Sequence, residues 1–474
     1  MLSKKKSISE LLQSWQYDEE LKQNIIHWHT LDGKRAEYAP FPDELHPSLQ
    51  KALRLRGIEQ LYTHQREAFD KATSGTSFTA ITPTASGKSL CYHLPVLQEI
   101  INDKSSRAIY LFPTKALAQD QKTDLNELIE ATGEEVLSYT YDGDTAPGIR
   151  TKIRKAGHIV MTNPDMLHSG ILPHHTKWVS LFENLKYIVI DELHTYKGVF
   201  GSHVAHVIRR LKRICAFYGA NPIFICTSAT IKNPKELAES LTNEKHELIT
   251  KSGAPVGKKT FIFYNPPIVN PTFGVRRSAV LEVRDLSKRL FEAGIQTIIF
   301  AKSRVRVEML VTYLKSLTFN KIGDESIQGY RGGYLPSERR AIEKGLRDGS
   351  IQMVVSTNAL ELGVDIGQLQ ACIMTGYPGN IASAWQQAGR AGRRQEEALI
   401  IYVAQSTALD QYIVNHPTYF FGTHPEEVRI NPDNIIILMD HLKCAAFELP
   451  FSMTDTYGEF TVQELLAYLE EEGV

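Results

Sequence analysis

The sequence predicts an α/β protein with two sheet-containing halves, a helical extension before them and a helical segment after them. Short apolar runs alternate with helical stretches, and a phosphate-binding pattern lies near the start of the first half. A second series of apolar runs begins after a break rich in Gly, Pro and Lys. Strands that alternate with helices form parallel sheets through right-handed crossovers. We therefore expect a parallel sheet flanked by helices in each half.

Each half contributes six predicted strands, all apolar because helices cover both faces of such a sheet. In the first half they are 78–82, 108–112, 136–141, 159–162, 187–190 and 223–227, and in the second 261–264, 297–300, 327–330, 353–356, 372–375 and 399–403. The predicted division of the chain is an N-terminal extension over 1–55, an ATP-binding domain over 56–252, a second domain over 253–410 and a helical segment over 411–474. We expect the extension to pack on the first domain and the last segment to begin an accessory domain.

The composition limits the possible classes of protein. Apolar residues make up 42% and charged residues 23%, which indicates a packed globular chain. The net charge is −1, so a surface for nucleic acid must be local. No apolar run has the length of a membrane span and no secretory signal is present, which predicts a cytoplasmic protein without a membrane partner.

The five cysteines are widely spaced. No Cys-x-x-Cys pair occurs among Cys91, Cys215, Cys226, Cys372 and Cys444. This pattern argues against a zinc site or a disulfide framework in this chain and suits a reducing compartment.

The stretch Thr82–Ser89 (TPTASGKS) predicts a phosphate-binding loop. A strand precedes it and a helix follows from near Leu90, so backbone N–H groups and the helix start face one anion. Lys88 is then expected to reach the β- and γ-phosphates of ATP, and the Ser89 hydroxyl to bind Mg²⁺. The first glycine of the usual pattern is replaced by Thr82. The alternative is a chance Gly-Lys-Ser in a strand–helix turn.

Two acids directly follow the predicted strand 187–190. Asp191 at this position suits a Mg²⁺ ligand, and Glu192 suits the general base for an attacking water. Two solvated acids are the alternative interpretation. The small hydroxyl residues of Ser228–Thr230, after the next strand, are expected to bond Asp191 or His194, with an ordinary capping turn as the alternative.

The segment Gln386–Arg394 (QQAGRAGRR) is the sharpest signal of the second half. Arg390 and Arg393 are predicted to lie on one side of a helix, where guanidinium groups suit a phosphate as arginine fingers. A solvated basic helix is the alternative. A separate basic stretch, Arg209–Arg213, is predicted to be a solvated helix face.

These motifs together resemble those of superfamily-2 helicases, and the resemblance spans about residues 60–400. In chain order the matching motifs are Leu61–Gln65, Thr82–Ser89, Pro113–Leu117, Thr162–Asp165, Asp191–His194, Ser228–Thr230, Ser356–Asp365 and Gln386–Arg393. The resemblance implies two tandem RecA-like domains that bind ATP with Mg²⁺. In this family the glycine at the position of Thr82 is often lacking.

The resemblance also implies a role for each matching residue. The residues implied to contact the nucleotide are Gln65, Thr84, Ala85, Ser86, Gly87, Lys88, Ser89, Gly363 and Asp365. Ser89 and Asp191 would hold Mg²⁺, and Arg390 and Arg393 would reach the γ-phosphate. Contacts to a nucleic-acid strand fall to Thr114, Lys115, Thr162, Ser303, Arg304 and Thr357. Hydroxyls and cations of this kind suit phosphate oxygens, which position a strand without reading its sequence.

The stretch from Asp191 to Val204 resembles most closely the bacterial mitomycin-repair helicases of the YprA/MrfA type, which are similar to fungal Hrq and RecQ-like helicases. The resemblance implies an ATP-dependent 3′–5′ DNA helicase in repair of crosslinks or bulky lesions. Its implied partners are single-stranded or 3′-tailed DNA and a repair nuclease, and a monomer is expected. That group carries a C-terminal zinc domain, and we expect this chain to stop before it. An RNA-directed DExH helicase and a non-translocating, ATP-gated clamp stay open as alternatives.

Overall fold

The computed structural model describes residues 6–83, 86–318, 324–361, 364, 366–367, 369–392, 396–423, 425–452 and 454–471. Its strands are β1 (Ile25–Leu31), β2 (Tyr38–Ala39), β3 (Leu61–Tyr62), β4 (Phe78–Ile81), β5 (Arg107–Leu111), β6 (Ser138–Thr140), β7 (Ile159–Thr162), β8 (Leu185–Ile190), β9 (Ile223–Ser228), β10 (Glu247–Ile249), β11 (Lys259–Tyr264), β12 (Ile268–Asn270), β13 (Val275–Arg276), β14 (Thr297–Phe300), β15 (Ile327–Tyr330), β16 (Met353–Ser356), β17 (Ala371–Thr375), β18 (Ala398–Val403), β19 (Thr456–Tyr457) and β20 (Phe460–Thr461). All twelve strands predicted from apolar runs are confirmed within a few residues at each end.

Helices connect most of these strands. The α-helices are α1 (Ile8–Gln16), α2 (Glu19–Lys22), α3 (Pro47–Leu55), α4 (Thr63–Thr73), α5 (Leu90–Asn102), α6 (Lys115–Thr132), α7 (Pro147–Ala156), α8 (Pro164–Met166), α9 (Val179–Glu183), α10 (Gly198–Phe217), α11 (Pro234–Thr242), α12 (Ala279–Glu292), α13 (Arg304–Thr318), α14 (Pro336–Asp348), α15 (Ile381–Ala388), α16 (Ala408–Asn415), α17 (Pro417–Gly422), α18 (Ile435–Glu448) and α19 (Val462–Glu471). Short 3₁₀ or π segments cover Leu167–Ile171, Leu172–Lys177, Leu193–Thr195, Asp324–Ser326 and Asn358–Leu360. Among the described residues, no helix has both the length and the apolar character that crossing a membrane requires.

The chain divides into two compact units. The first-sheet unit comprises Glu37–Gly253 and Glu427–Val474, and the second-sheet unit comprises Met1–Ala36 and Ala254–Glu426. Each unit is therefore built from two separate stretches of chain.

The first sheet has seven strands, all parallel, in the order β10-β4-β9-β8-β5-β7-β6. Successive residues of a strand point to opposite faces, and β8 shows the result. Tyr187 and Val189 join one buried cluster, while Ile188 and Ile190 join the cluster on the other face. The sheet is thus a central layer with apolar packing on both sides, and its carboxyl edge gathers the polar loops.

The second sheet also has seven strands, in the order β1-β11-β18-β17-β14-β16-β15. Six are parallel, and β1 pairs antiparallel with the edge strand β11. The expectation that the N-terminal extension packs on the first domain is wrong for residues 6–36. Leu11 and Trp15 of α1 join the core of the second sheet, and β1 covers an edge that would otherwise expose unpaired backbone groups.

The final stretch of chain packs on the first-sheet unit, where α18 lies against α10. Val428 and Leu449 belong to the apolar cluster on one face of the first sheet. The Asn233 side chain holds Val428 at both backbone groups, donating from Nδ2 to its carbonyl and accepting from its N–H, each at 2.9 Å. The C-terminal stretch is therefore an integral part of the first-sheet unit.

The basic stretch Arg209–Arg213 is not a solvated face, contrary to expectation. Arg210 is only 1% exposed, and its guanidinium forms a bidentate ion pair with the Glu448 carboxylate. Arg209 pairs with Asp433 at 2.9 Å, and Arg213 donates to the Ala445 carbonyl at 3.0 Å. The charges on α10 are therefore used to bind the C-terminal stretch.

Candidate functional site

The phosphate-binding loop joins β4 to α5 at the carboxyl edge of the first sheet. The Thr82 and Ser86 hydroxyls lie 2.7 Å apart and are buried, so the threonine at the atypical position closes the loop. Gly87 has a φ of +75°, and a Cβ there would meet Gln65 Nε2 at 2.6 Å. Both facts require glycine at this position. The predicted contacts Thr84 and Ala85 lie outside the described residues.

Gln65 is held against this loop from both ends of its amide. Its Nε2 donates to the Gly87 carbonyl at 2.9 Å, and its Oε1 accepts from the Tyr62 N–H at 3.0 Å. The structure therefore brings Gln65, one of the predicted nucleotide contacts, next to the loop predicted for the phosphates.

Lys88 lies where α5 begins, and its Nζ is buried. No hydrogen-bond partner of this Nζ is present among the described residues. A buried ammonium without a hydrogen-bond partner is costly, and the start of a helix adds a positive dipole end beside it. Ser89 precedes α5 without a side-chain capping bond. The arrangement is thus suited to an anion that the chain itself does not supply.

Asp191 and Glu192 follow β8 at the same edge and are both buried. The Asp191 carboxylate accepts hydrogen bonds from the Thr227 hydroxyl and, at 3.0 Å, from the Glu192 N–H. Burial raises the pKa of Asp191, and the nearby Glu192 charge raises it further. The Thr227 hydroxyl and Lys88 act in the opposite direction. Lys88 and Asp191 therefore interact electrostatically within one unit.

Glu192 has a φ of +52°, a left-handed conformation that a non-glycine residue rarely adopts. Strained backbone of this kind is concentrated at functional sites. Its carboxylate lies 3.5 Å from His194 Nδ1. A general base needs a fixed position, and the constrained backbone of Glu192 provides one.

His194 links the acid pair to the next strand. Its Nδ1 accepts from the Ala229 N–H at 3.2 Å and lies 3.5 Å from the Ser228 hydroxyl. Burial lowers the pKa of His194, with Glu192 opposing this effect. The expectation for Ser228–Thr230 is confirmed at His194, whereas the bond to Asp191 comes from Thr227. Thr227 was missed, although the β8–β9 register, Ile190 opposite Cys226, places it beside Asp191.

Oxygen ligands for Mg²⁺ are present at this site. The Ser89 hydroxyl and the Asp191 carboxylate are hard donors, and Mg²⁺ usually takes few protein ligands besides water and phosphate. The residues thus fit the predicted ion. Among the described residues, no group of three or more His, Cys, Asp or Glu has the arrangement of a metal site, so the expectation about zinc stays a prediction.

The predicted strand-binding residues of the first sheet differ in accessibility. Thr114 and Lys115 are exposed at the start of α6, where Thr114 accepts from the Leu117 N–H and Lys115 pairs with Asp144 at 2.9 Å. Thr162 is buried, and its hydroxyl donates to the Tyr141 carbonyl at 2.7 Å. The Thr162 side chain thus supports the sheet, while Thr114 and Lys115 are open to a ligand.

Their counterparts on the second sheet follow β14 and β16. Ser303 and Arg304 are exposed, and Thr357 is half-buried. Ser303 Oγ accepts from the Arg306 N–H and Thr357 Oγ1 from the Ala359 N–H, so both hydroxyls also cap the turns that follow. All three lie at the carboxyl edge of this sheet.

Arg390 follows α15 rather than lying within a helix. The prediction of a helical arginine pair is wrong at this residue because α15 ends at Ala388, where glycines on either side of Arg390 disfavour helix. Its guanidinium donates to the carbonyls of Glu361 and Val364, each at 2.9 Å. Arg390 thus ties its segment to the turn after β16. Arg393, Gly363 and Asp365 lie outside the described residues.

Comparison with known proteins identifies the family of the chain. The DEAD/DEAH box helicase model matches residues 62–237, and the helicase conserved C-terminal domain model matches residues 282–395. The chain therefore belongs to the superfamily-2 helicases with two tandem RecA-like domains, which confirms the predicted fold and family.

Individual relatives show which helicases within this superfamily the chain is similar to. The chain is 62% identical to the uncharacterized ATP-dependent helicase YprA of Bacillus subtilis, over 99% of this chain and 62% of that protein. It is 37% identical to the ATP-dependent helicase hrq1 of Schizosaccharomyces pombe, over 94% of this chain and 43% of that protein. The crystal structure of the DUF1998 helicase MrfA bound to DNA and AMPPNP superposes with a TM-score of 0.95 at 62% identity, covering 99% of this chain and 65% of that one. The chain thus spans less than two thirds of these relatives.

Proposed function

We propose that the chain is the motor core of an ATP-dependent DNA helicase that moves 3′ to 5′ along a single strand. The observation that carries this proposal is the buried Lys88 Nζ without a partner among the described residues, close enough to Asp191 to influence its pKa. A buried cation beside a carboxylate suits a phosphate–magnesium pair, which supplies the missing negative and positive charges. MrfA, the relative at 62% identity, has been solved with DNA and AMPPNP.

Each residue of the site has one task in hydrolysis. Lys88 neutralises the phosphate oxygens, and Gln65 orients the loop on which they rest. Glu192, positioned by its constrained backbone, accepts a proton from the attacking water. Ser89 and Asp191 would hold Mg²⁺, which would supply a positive charge against the phosphate oxygens. The family resemblance assigns Arg390 and Arg393 to the γ-phosphate.

Repair of crosslinked or bulky DNA lesions is the cellular role that we propose, on the basis of the resemblance to mitomycin-repair helicases. Single-stranded or 3′-tailed DNA is the proposed substrate, with Thr114, Lys115, Ser303, Arg304 and Thr357 as strand contacts. A repair nuclease as partner, a monomeric state and a cytoplasmic location stay predictions.

A strand-displacement assay tests movement and polarity together. Duplexes with a 3′ or a 5′ overhang, in DNA and in RNA of the same sequence, are incubated with ATP and Mg²⁺. We expect displacement only of the 3′-tailed DNA. Displacement of RNA alone would support the RNA-directed alternative, and ATP-dependent strand binding with neither hydrolysis nor displacement would support the clamp.

Two variants test the site itself. Lys88→Ala should lose DNA-stimulated hydrolysis in a folded protein, because the phosphate loses its buried counter-charge. Arg393→Ala should keep ATP binding and lose turnover. Hydrolysis that survives in Lys88→Ala would refute the assignment of the phosphate loop, and turnover that survives in Arg393→Ala would remove the arginine finger.

A further inference from the structure

An exposed β-hairpin belongs to the second-sheet unit and follows β11. The hairpin consists of β12, β13 and the turn between them, residues 268–276. The Arg277 N–H donates to the Pro267 carbonyl at 2.9 Å across its base. In the turn, Gly274 has a φ of +62° and its N–H donates to the Pro271 carbonyl. The hairpin therefore has a defined backbone with its own hydrogen bonds.

The base of the hairpin is anchored to the second-sheet unit. The amide groups of Asn265 and Gln411 are paired in both directions at 3.1 Å, and the Asn265 N–H donates to the Asn24 carbonyl at 2.8 Å. The Arg276 guanidinium donates to the Pro266 carbonyl at 2.7 Å. A tip built on such a base has a fixed position relative to the sheet.

The hairpin exposes apolar side chains instead of burying them. Phe273 at the tip is 79% exposed, Val269 is 59% exposed and Ile268 is 49% exposed. None of them joins the buried core of the second sheet. An isolated two-stranded hairpin is marginally stable in water, so this hairpin depends on the hydrogen bonds at its base. Clustered exposed apolar groups on an ordered element indicate a binding surface.

The hairpin lies at the same edge of the second sheet as the residues predicted to contact a nucleic-acid strand. It follows β11, Ser303 and Arg304 follow β14, and Thr357 follows β16. These strands run parallel, so all three loops leave the same edge of the sheet. β11 lies three strand positions from β14, roughly 14 Å at the usual strand spacing. A nucleic-acid strand lying on Ser303 and Arg304 needs only a few nucleotides to reach the hairpin.

The chemistry of the hairpin favours nucleic acid over a protein partner. The segment from Asn265 to Arg277 contains no Asp or Glu and two arginines. Glu282 and Asp285 pair with Arg277, which leaves Arg276 as the basic group of the hairpin itself. An exposed aromatic ring in a segment that contains arginine and no acid matches the surfaces on which unpaired bases stack.

We propose that the hairpin 268–276 contacts the bound single strand, with Phe273 stacking on an unpaired base and Arg276 facing the phosphates. This inference rests on the proposed helicase function and adds a contact outside the family motifs. It assigns the hairpin to the part of the strand that lies beyond Ser303 and Arg304.

Binding of a fluorescent single-stranded DNA, measured by anisotropy in the full chain, tests the contact. Phe273→Ala should weaken binding roughly 5- to 150-fold, the range for loss of one base–aromatic stack. Phe217→Ala is the matched control, because Phe217 is an equally aromatic residue, 65% exposed, on α10 of the other unit. The control should bind DNA as the unchanged protein does. Both side chains are exposed, so both variants should keep the melting temperature of the unchanged protein.

Photocrosslinking with 5-iodouracil placed at successive positions of the oligonucleotide adds a second measurement. We expect a crosslink at one position that mass spectrometry maps to Phe273 and that Phe273→Ala loses. Undiminished affinity together with no crosslink in 268–276 would overturn the inference. If Phe273→Ala instead changes the association state and leaves DNA binding intact, the hairpin is a protein-contact surface. Failure of the unchanged protein to bind DNA would count against the proposed function as well.

Discussion

The two units hold their functional cations in opposite ways. In the first-sheet unit the Lys88 Nζ is buried without a hydrogen-bond partner among the described residues. In the second-sheet unit Arg390 gives its guanidinium to two backbone carbonyls of its own unit. A cation held without a partner costs stability and is available to a ligand, whereas a bonded cation stabilises the segment around it. Lys88 is thus available to bind an anion, whereas Arg390 stabilises the segment around it.

The units also differ in their buried histidines. In the first-sheet unit, burial lowers the pKa of four histidines, His64, His93, His206 and His246, to about 4, and that of His441 to about 3. In the second-sheet unit, His27 is only partly buried. Acid should therefore affect the two units unequally.

The largest expected effect is selective destabilisation of the first-sheet unit by acid. In the unfolded chain these histidines take up protons near pH 6.5, and in the folded unit only near pH 4, so stability is complete above 6.5 and falls as the pH drops below it. Between pH 7 and pH 5 each contributes a loss of up to about 2 kcal/mol. Hydrogen exchange followed by mass spectrometry should show the first-sheet unit losing protection first. Equal loss in both units would contradict the comparison.

Breaking the buried ion pair between Arg210 and Glu448 should have the next largest effect. Arg210→Met leaves the Glu448 carboxylate buried without its partner, which costs about 3–5 kcal/mol. Exchange should rise in α18 and in α10, because the pair joins them. Arg66→Met is the control, since Arg66 pairs with Asp70 on a partly exposed helix face and such pairs contribute about 0.3–0.5 kcal/mol. A loss of stability no greater than that of the control would show that the C-terminal stretch does not depend on this pair.

Separate substitution of Lys88 and of Arg390 by methionine tests whether the first cation serves hydrolysis and the second serves stability. Lys88→Met should reduce ATP hydrolysis by at least roughly 10²-fold while lowering the melting temperature less than Arg390→Met does, because no hydrogen bond to the Lys88 Nζ is lost among the described residues. Arg390→Met should lower stability by about 1–3 kcal/mol, because the carbonyls of Glu361 and Val364 lose their donors. Calorimetry and a hydrolysis assay measure both. The contrast fails if Lys88→Met destabilises the protein more than Arg390→Met does.

The smallest predicted effect concerns Thr227. Its hydroxyl lowers the pKa of Asp191, so Thr227→Val should raise that pKa and move the acidic limb of the hydrolysis profile to higher pH. We expect roughly tenfold slower hydrolysis near that limb, the value of one hydrogen bond to a charged group. Thr79→Val is the control, because Thr79 is buried on β4 and bonds His246 at 3.0 Å. An unshifted pH profile would remove Thr227 from the site.

The sequence was sufficient for the parts of the molecule that depend on local pattern. Apolar runs predicted twelve strands, and the spacing of Lys88, Asp191 and His194 predicted groups that the structure brings to one sheet edge. Contacts between segments that are distant in the sequence could not be predicted from such local patterns. The pairing of β1 with β11 and of Arg210 with Glu448 depends on backbone edges and buried charges that meet only in the fold. The hairpin 268–276 was not among the predicted strands, because the two prolines before it and the asparagine and proline of its turn are typical of loops.

Each unit includes one terminal stretch of the chain, and residues of the other unit separate that stretch from the rest of its own unit in the sequence. The backbone therefore passes between the units three times, after Ala36, after Gly253 and after Glu426. One cut cannot separate the halves as intact pieces, and a fragment ending at Gly253 lacks Val428 and Leu449 of its own core.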